Sequence, residues 1–388
     1  MEKIHARKQG FYEVIEDEKV VEDIEKFASD SKGKYKNIVV LGIGGSSLGT
    51  ICLQQSLKHL YVNERSTSPK LHVLDNIDPT LIAEIQDVIE FSSTLFIVVT
   101  KSGGTPETIS QYLYFRKRIE DNGLSPTDHF LFITDPKKGL LRKIASEEEI
   151  TSFEVPPNVG GRFSILTPVG LLPAALIGID IRKLLEGARS MKDSFLSNDT
   201  ETNLPFILAA MQHSLGQDGK IMNVMIPYSQ KLIRFADWYR QLLAESIGKD
   251  GIGLTPINAL GATDQHSQSQ LYNEGPNDKF FIFLKVEDFG TDIKIPSPEE
   301  ESISYLKGVS FNKLIHTEME GTIGSLNENK RPNITLTVDK VNAQSLGELL
   351  MLFMSATAFL GELYGINAFD QPGVELSKNL TKELLSKR

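Results

Sequence analysis

The chain has 388 residues, which at roughly 150 residues per domain implies two to three domains. With 41 basic and 51 acidic residues the formal net charge is −10, and 40% hydrophobic with 24% charged residues is an ordinary globular composition. That excludes a disordered chain, which has too little apolar matter to offset its ordering entropy. With no basic stripe, it also argues against a general nucleic-acid binder. The single cysteine, Cys52, allows no intrachain disulfide and points to a reducing, cytoplasmic setting. Met1–Gly10 is charged and lacks an apolar core, so no secretory signal is expected. The most membrane-like run, Leu349–Gly361, falls short of the roughly 20 apolar residues a span needs and is flanked by Glu348 and Glu362. It is expected to be a buried core helix, with no membrane association.

Asn37–Leu41 predicts a strand, followed by a glycine-rich turn and a helix from about Leu48. Leu71–Asp75 predicts a second strand, and Asp78-Pro79 opens the next helix. Leu95–Val99 is a third strand, followed by a small-residue loop and a helix with Pro106 in its first turn. Phe130–Thr134 is a fourth. Continuous apolar strands separated by helices indicate a parallel sheet covered on both faces. After an apolar helix at Pro168–Ile179 the pattern restarts, with strands at Met222–Pro227, Phe280–Leu284 and Ile334–Val338. Ile295–Glu301 reads as a surface loop whose charges form a solvated face. The fold class is therefore α/β, with two doubly wound parallel-sheet domains and a C-terminal helical tail. The expected boundaries are 1–30 for an N-terminal helical segment, 31–165 and 166–360 for the two α/β domains, and 361–388 for the tail.

Two loops look built for phosphate. Leu41-Gly42-Ile43-Gly44-Gly45-Ser46-Ser47-Leu48-Gly49 follows the first strand. Its glycines let backbone approach an anion, and the next helix presents unpaired N–H groups. A dinucleotide fold is the rival reading. Gly42 and Gly44 begin G-x-G-x-x-G, but Ser47 stands at the third position, and Asp75 lies later than a ribose-binding acid should. Thr100-Lys101-Ser102-Gly103-Gly104-Thr105 follows the third strand and carries three hydroxyls. In an open parallel sheet both loops lie at the carboxyl edge, where ligands bind. Neither has the G-x-x-x-x-G-K-[ST] spacing of an NTP-binding loop.

Four further segments carry acid–base and cationic groups. In Trp238–Lys249, Gln241 and Glu245 stand four apart and share a helix face. Gly261–Gln268 is a polar loop around His266. Gly160-Gly161-Arg162-Phe163-Ser164 sets an arginine on a small-residue turn, and Asp370–Lys378 contains Gln371 and Lys378. The seven histidines form no H-E-x-x-H pair and there is no cysteine cluster, so no metal site is expected.

Taken together, G-G-R-F-S, A-E-S-I-G-K, A-T-D-Q-H-S-Q and F-D-Q-P-G-V-E-L-S-K resemble the phosphoglucose isomerase family, from about Asn37 to Lys378. The resemblance implies two sugar-isomerase (SIS-type) domains and a cytoplasmic, cofactor-free enzyme working as a homodimer with a shared active site, or as paired dimers. The implied reaction is the interconversion of glucose 6-phosphate and fructose 6-phosphate in glycolysis and gluconeogenesis. Carried over by motif, the phosphate cradle falls on Ser46, Thr100, Lys101, Ser102 and Thr105, with Gly45 beside the sugar. The catalytic base falls on Glu245, and the ring-opening pair on His266 and Lys378. Arg162 matches the intermediate-stabilising arginine, and Gln241 and Gln371 match substrate contacts. The chain is shorter than mammalian-type members. Thr100 replaces a common serine, and Gly103-Gly104 is more open than the family's threonine-rich loop.

The chemistry explains these residue types. An aldose–ketose shift moves one proton between C2 and C1, so one positioned carboxylate suffices. The enediolate between them needs a fixed cation, and guanidinium stays charged. Ring opening needs a proton carrier, and histidine exchanges protons near neutral pH. The phosphate does not react; its binding energy orients the carbons that do. A nicotinamide dehydrogenase, a non-catalytic sugar-phosphate-binding protein and a dual glucose/mannose phosphate isomerase are the alternatives weighed.

Overall fold

In a computed structural model, which describes residues 1–65 and 69–387, the chain forms two parallel sheets with helices on both faces. Helices α1 (Glu2–Ala6) and α2 (Glu18–Asp30) precede the first sheet. There follow β1 (Asn37–Leu41), α3 (Leu48–Leu57), β2 (Lys70–Leu74), α4 (Pro79–Val88) and β3 (Thr94–Val99). Next come α5 (Pro106–Asp121), α6 (Pro126–His129), β4 (Phe130–Thr134), α7 (Leu140–Glu147) and β5 (Ser152–Glu154). Helices α8 (Pro168–Leu176), α9 (Ile181–Leu196) and α10 (Leu204–Gln217) lead to the second sheet. It holds β6 (Met222–Pro227), α11 (Ile233–Ile247), β7 (Thr255–Asn258), α12 (Gln265–Glu274), β8 (Lys279–Asp288), α13 (Phe311–Glu328) and β9 (Asn333–Lys340). The chain continues through α14 (Ala343–Tyr364) and α15 (Glu375–Ser386).

Every residue of β1, β3 and β4 is buried, as their unbroken Val, Ile, Leu and Phe runs require of strands covered on both faces. The helix starts follow local chemistry. Asp78 accepts from Thr80 N at 2.8 Å ahead of Pro79, and Pro106 occupies the first position of α5, where its missing N–H costs nothing.

The first sheet has the order β2-β1-β3-β4-β5 and the second β7-β6-β8-β9, all pairs parallel. The order reverses direction at β1/β3, so the loops after those two strands flank the first sheet's switch point. Two strands, β5 and β7, go beyond the sequence expectation. Both are edge strands. Ser152–Glu154 is too short and polar to form an apolar run, and Pro256 lies within β7. Proline demotes a strand in sequence, yet an edge tolerates its missing donor.

One hydrophobic core spans the space between the sheets, drawing Ile38 and Val40 from β1, Met225 from β6, Phe280 and Ile282 from β8, and most of α14. Helix α14 is longer than the apolar run expected, at 22 residues, and is apolar enough to cross a membrane by composition. Its most apolar stretch is 83% buried inside the protein, packed on α9, α10 and α11, as a core helix should be. Helix α11 in turn lies against α3. That contact carries a helix of the second half over the glycine-rich loop of the first.

Candidate active site

The first loop, after β1, makes a short helical turn at Gly44–Ser46 before α3 begins. Gly44 has φ +58, and a Cβ there would come within 3.0 Å of Gln241 Nε2 on α11. A Cβ on Gly45 would fall 2.4 Å from the carbonyl of Gly161. Glycine is therefore demanded by close approach on both sides, to α11 and to the Gly160–Ser164 turn. The second loop, after β3, gathers three hydroxyls. Thr100 Oγ1 lies 2.8 Å from Thr105 Oγ1 and 3.3 Å from Ser102 Oγ, and Ser102 Oγ lies 3.3 Å from Thr105 Oγ1. They sit at the start of α5, whose N-cap residue Thr105 gives no side-chain cap to the first-turn N–H groups. Such an end offers donors and a positive dipole to an anion.

Lys101 sits differently from the cradle cation expected. Its Nζ donates to the carbonyls of Pro157 at 2.8 Å and Val159 at 2.9 Å. Burial pushes its pKa down, opposed by nearby Asp135. The ammonium thus straps the hydroxyl loop to the segment leading into Arg162.

The acid–base pair comes from α11 and the Gly160–Ser164 turn. Glu245 Oε2 accepts from Gln241 Nε2 at 3.1 Å, the i,i+4 contact expected on one helix face. Glu245 Oε1 lies 3.7 Å from Arg162 Nη1. Arg162 is only 3% exposed. Burial lowers its pKa, with Glu245 and Asp370 pulling the other way, and the group remains a cation at neutral pH. Its Nε donates to Ser246 Oγ at 2.7 Å, its Nη1 to Gln371 Oε1 at 2.7 Å, and its Nη2 to the carbonyls of Ala368 at 2.6 Å and Asp370 at 2.9 Å. Gln371 therefore reaches the site through Arg162. Ser246, Lys249, Asn367 and Asp370 are site residues that motif reading passed over, although Ser246 and Lys249 stand inside A-E-S-I-G-K.

His266 and Lys378 are not drawn into this cluster. His266 lies exposed in the first turn of α12, and its ring has no hydrogen-bond partner among the described residues. Its loop is ordered by Asp264, which accepts from Leu260 N at 2.7 Å and Ser267 Oγ at 2.6 Å. Lys378 is exposed on α15 and, among the described residues, bonded only to Glu375, at 2.9 Å.

Two parallel-sheet halves with a hydroxyl cradle at one carboxyl edge and a carboxylate–guanidinium pair beside it define a sugar-phosphate isomerase. Solved phosphosugar isomerases share this two-half fold. The chain belongs to the phosphoglucose isomerase family, whose model matches residues 12–270 and 316–388. It is 45% identical to a glucose-6-phosphate isomerase of Carboxydothermus hydrogenoformans, over 100% of this chain and 87% of that protein. A hypothetical protein from Thermus thermophilus superposes with a TM-score of 0.90 at 36% identity, over 97% of this chain and 90% of that one. A glucose-6-phosphate isomerase from Chlamydia trachomatis gives 0.83 at 26% identity, over 95% of this chain and 73% of that one.

Proposed function

We propose that the chain interconverts glucose 6-phosphate and fructose 6-phosphate, with Glu245 as the base and Arg162 as the cation facing the intermediate. The observation that carries this reading is the Arg162–Glu245 pair, 3.7 Å apart and walled by the loop at Gly44–Gly45. A proton acceptor and a permanent cation in one small volume are what a C2-to-C1 proton shift needs. Thr100, Ser102 and Thr105 seat the phosphate, with Gly45, Ser46, Gln241 and Gln371 along the sugar and Lys101 bracing the cradle.

The ring opens as a proton passes from the anomeric hydroxyl to the ring oxygen, a transfer we assign to His266 with Lys378. In the open aldose Glu245 takes the C2 proton. The electron pair moves into the C1–C2 bond, and negative charge collects on the C1 oxygen, opposite Arg162. Glu245 returns its proton to C1, the O2 proton passes to O1, and C2 becomes the carbonyl. Proton transfers alone complete the reaction. The test is a coupled assay of fructose 6-phosphate conversion with and without a chelator. Conversion unaffected by the chelator is expected. No conversion rejects the reading, and loss on chelation rejects its metal-free part.

The working unit we assign is a cytoplasmic homodimer, able to pair into tetramers, in which His266 serves the neighbouring subunit's site. The exposed ring of His266, unpartnered among the described residues, supports the shared site. So does the apolar face of α15, where Leu376, Leu380 and Leu384 stand four apart at 69%, 49% and 70% exposure.

The cradle makes a separate prediction. Ser102→Ala with Thr105→Ala removes two donors to a group that does not react. A hydrogen bond to a charged group contributes roughly 1.5–3 kcal/mol, so KM should rise at least about tenfold while kcat holds. Inhibition by inorganic phosphate should weaken alongside. Unchanged inhibition in the double variant places the phosphate elsewhere.

A further inference from the structure

We infer that the Lys249–Asp370 ion pair is a positioning device, pinning the segment 367–371 against the end of α11 so that Arg162 stays aimed at Glu245. Three of the four acceptors that hold the Arg162 guanidinium belong to this segment: the carbonyls of Ala368 and Asp370 and the side chain of Gln371. The segment follows α14 and carries no regular structure of its own until Pro372. Something else must hold it in place.

Lys249 does so. Its Nζ lies 3.0 Å from Asp370 Oδ1, donates to the carbonyl of Ser246 at 3.1 Å, and donates to the carbonyl of Asn367. An ammonium has three protons, and here it has three acceptors. Burying an ammonium is costly unless it is fully paired, and the Lys249 side chain is 8% exposed. Asp370 is braced in turn, its Oδ2 accepting from Asn367 Nδ2 at 2.8 Å. Ser246 joins both halves of the device, since its hydroxyl accepts from Arg162 and its carbonyl from Lys249. The Phe369 ring packs against Phe163 at 5.2 Å and Phe11 at 6.1 Å. That apolar anchor keeps the segment attached when the ion pair is lost. What is lost is its register.

The consequence falls on the chemical step. A cation meant for a developing oxyanion acts only if it is already in place, and misplacement by about 1 Å costs on the order of a hundredfold. The phosphate loop at Thr100–Thr105 makes no hydrogen bond to the segment, so phosphate binding is untouched.

The inference rests on reading Arg162 as the cation that faces the enediolate. Its test is Asp370→Ala, a change at a side chain 52% exposed, with Lys249→Met as a second variant. The expected kcat is lower by roughly ten- to a hundredfold, with KM for fructose 6-phosphate within about twofold. A hydroxamate analogue of the enediolate should bind more weakly in proportion, while inorganic phosphate binds as before. Asp370→Glu, which keeps the carboxylate, should recover most of kcat. An unchanged kcat in Asp370→Ala overturns the inference. So does a joint loss of kcat and inorganic phosphate affinity, which marks general loosening. Arg162→Lys serves as the reference. If it leaves kcat and hydroxamate binding intact, the reading of Arg162 falls and the positioning role with it. If it abolishes both while Asp370→Ala changes neither, only the positioning role falls.

Discussion

Glu245→Gln should reduce kcat by about 10²–10⁴, the usual loss when a general base is removed, with KM close to wild type. The surroundings make this substitution a clean probe. The carboxylate has two neighbours, Gln241 Nε2 at 3.1 Å and Arg162 Nη1 at 3.7 Å. A glutamine of the same length can keep its carbonyl toward Arg162 and turn its NH₂ toward Gln241. Gln241 Oε1 is buried without a hydrogen-bond partner among the described residues, so a rotated Gln241 amide can accept from that NH₂. Arg162 retains Ser246, Gln371 and the two carbonyls, and Asp370 still faces it as a counter-charge, so losing the Glu245 carboxylate does not strand a buried cation. Folding and phosphate binding should therefore survive, and only the proton transfer should fail. Turnover and binding of 6-phosphogluconate are measured side by side. Turnover within a few-fold of wild type rejects Glu245 as the base.

Where the sequence was legible, the physics was local. The strands β1, β3 and β4 announce themselves as unbroken apolar runs because both faces are buried. Asp78-Pro79 marks a helix start by cap chemistry and fixed φ, and Pro106 marks another by fixed φ alone. The edge strands β5 and β7 were not legible, because pairing on one side lets a three-residue polar segment or a proline-bearing one join a sheet.

The site divides in the same way. Gln241 and Glu245 could be placed on one face from their spacing alone, and the structure joins them by a hydrogen bond. The hydroxyl cluster at Thr100, Ser102 and Thr105 follows from one loop between a strand and a helix. The partners of Arg162 do not follow from spacing. Ser246 lies 84 positions away and Gln371 lies 209 away, and only tertiary packing brings them together. Lys101 shows the converse. A lysine in a phosphate-type loop reads as an anion ligand, yet it is half-buried and donates to the carbonyls of Pro157 and Val159.

Mixing two inactive chains, Glu245→Gln and His266→Ala, and refolding them together should restore activity. In one subunit, His266 sits on an exposed turn at the start of α12, while Glu245 sits beside buried Arg162. The 20 positions between them include β7 and a Pro- and Gly-bearing connection rather than a helical hairpin, so nothing local folds the histidine back onto its own carboxylate. In a two-fold dimer with shared sites, the mixed species has one pocket with both lesions and one with neither. Random pairing makes half the dimers mixed, so about a quarter of wild-type activity is expected. Wild type refolded alongside sets the scale. If each chain supplies its own Glu245 and His266, every pocket keeps a lesion and the mixture stays inactive. The same reading requires the active enzyme to be at least dimeric. A fully active monomer by light scattering would contradict it, because a monomer has no second chain to lend its histidine.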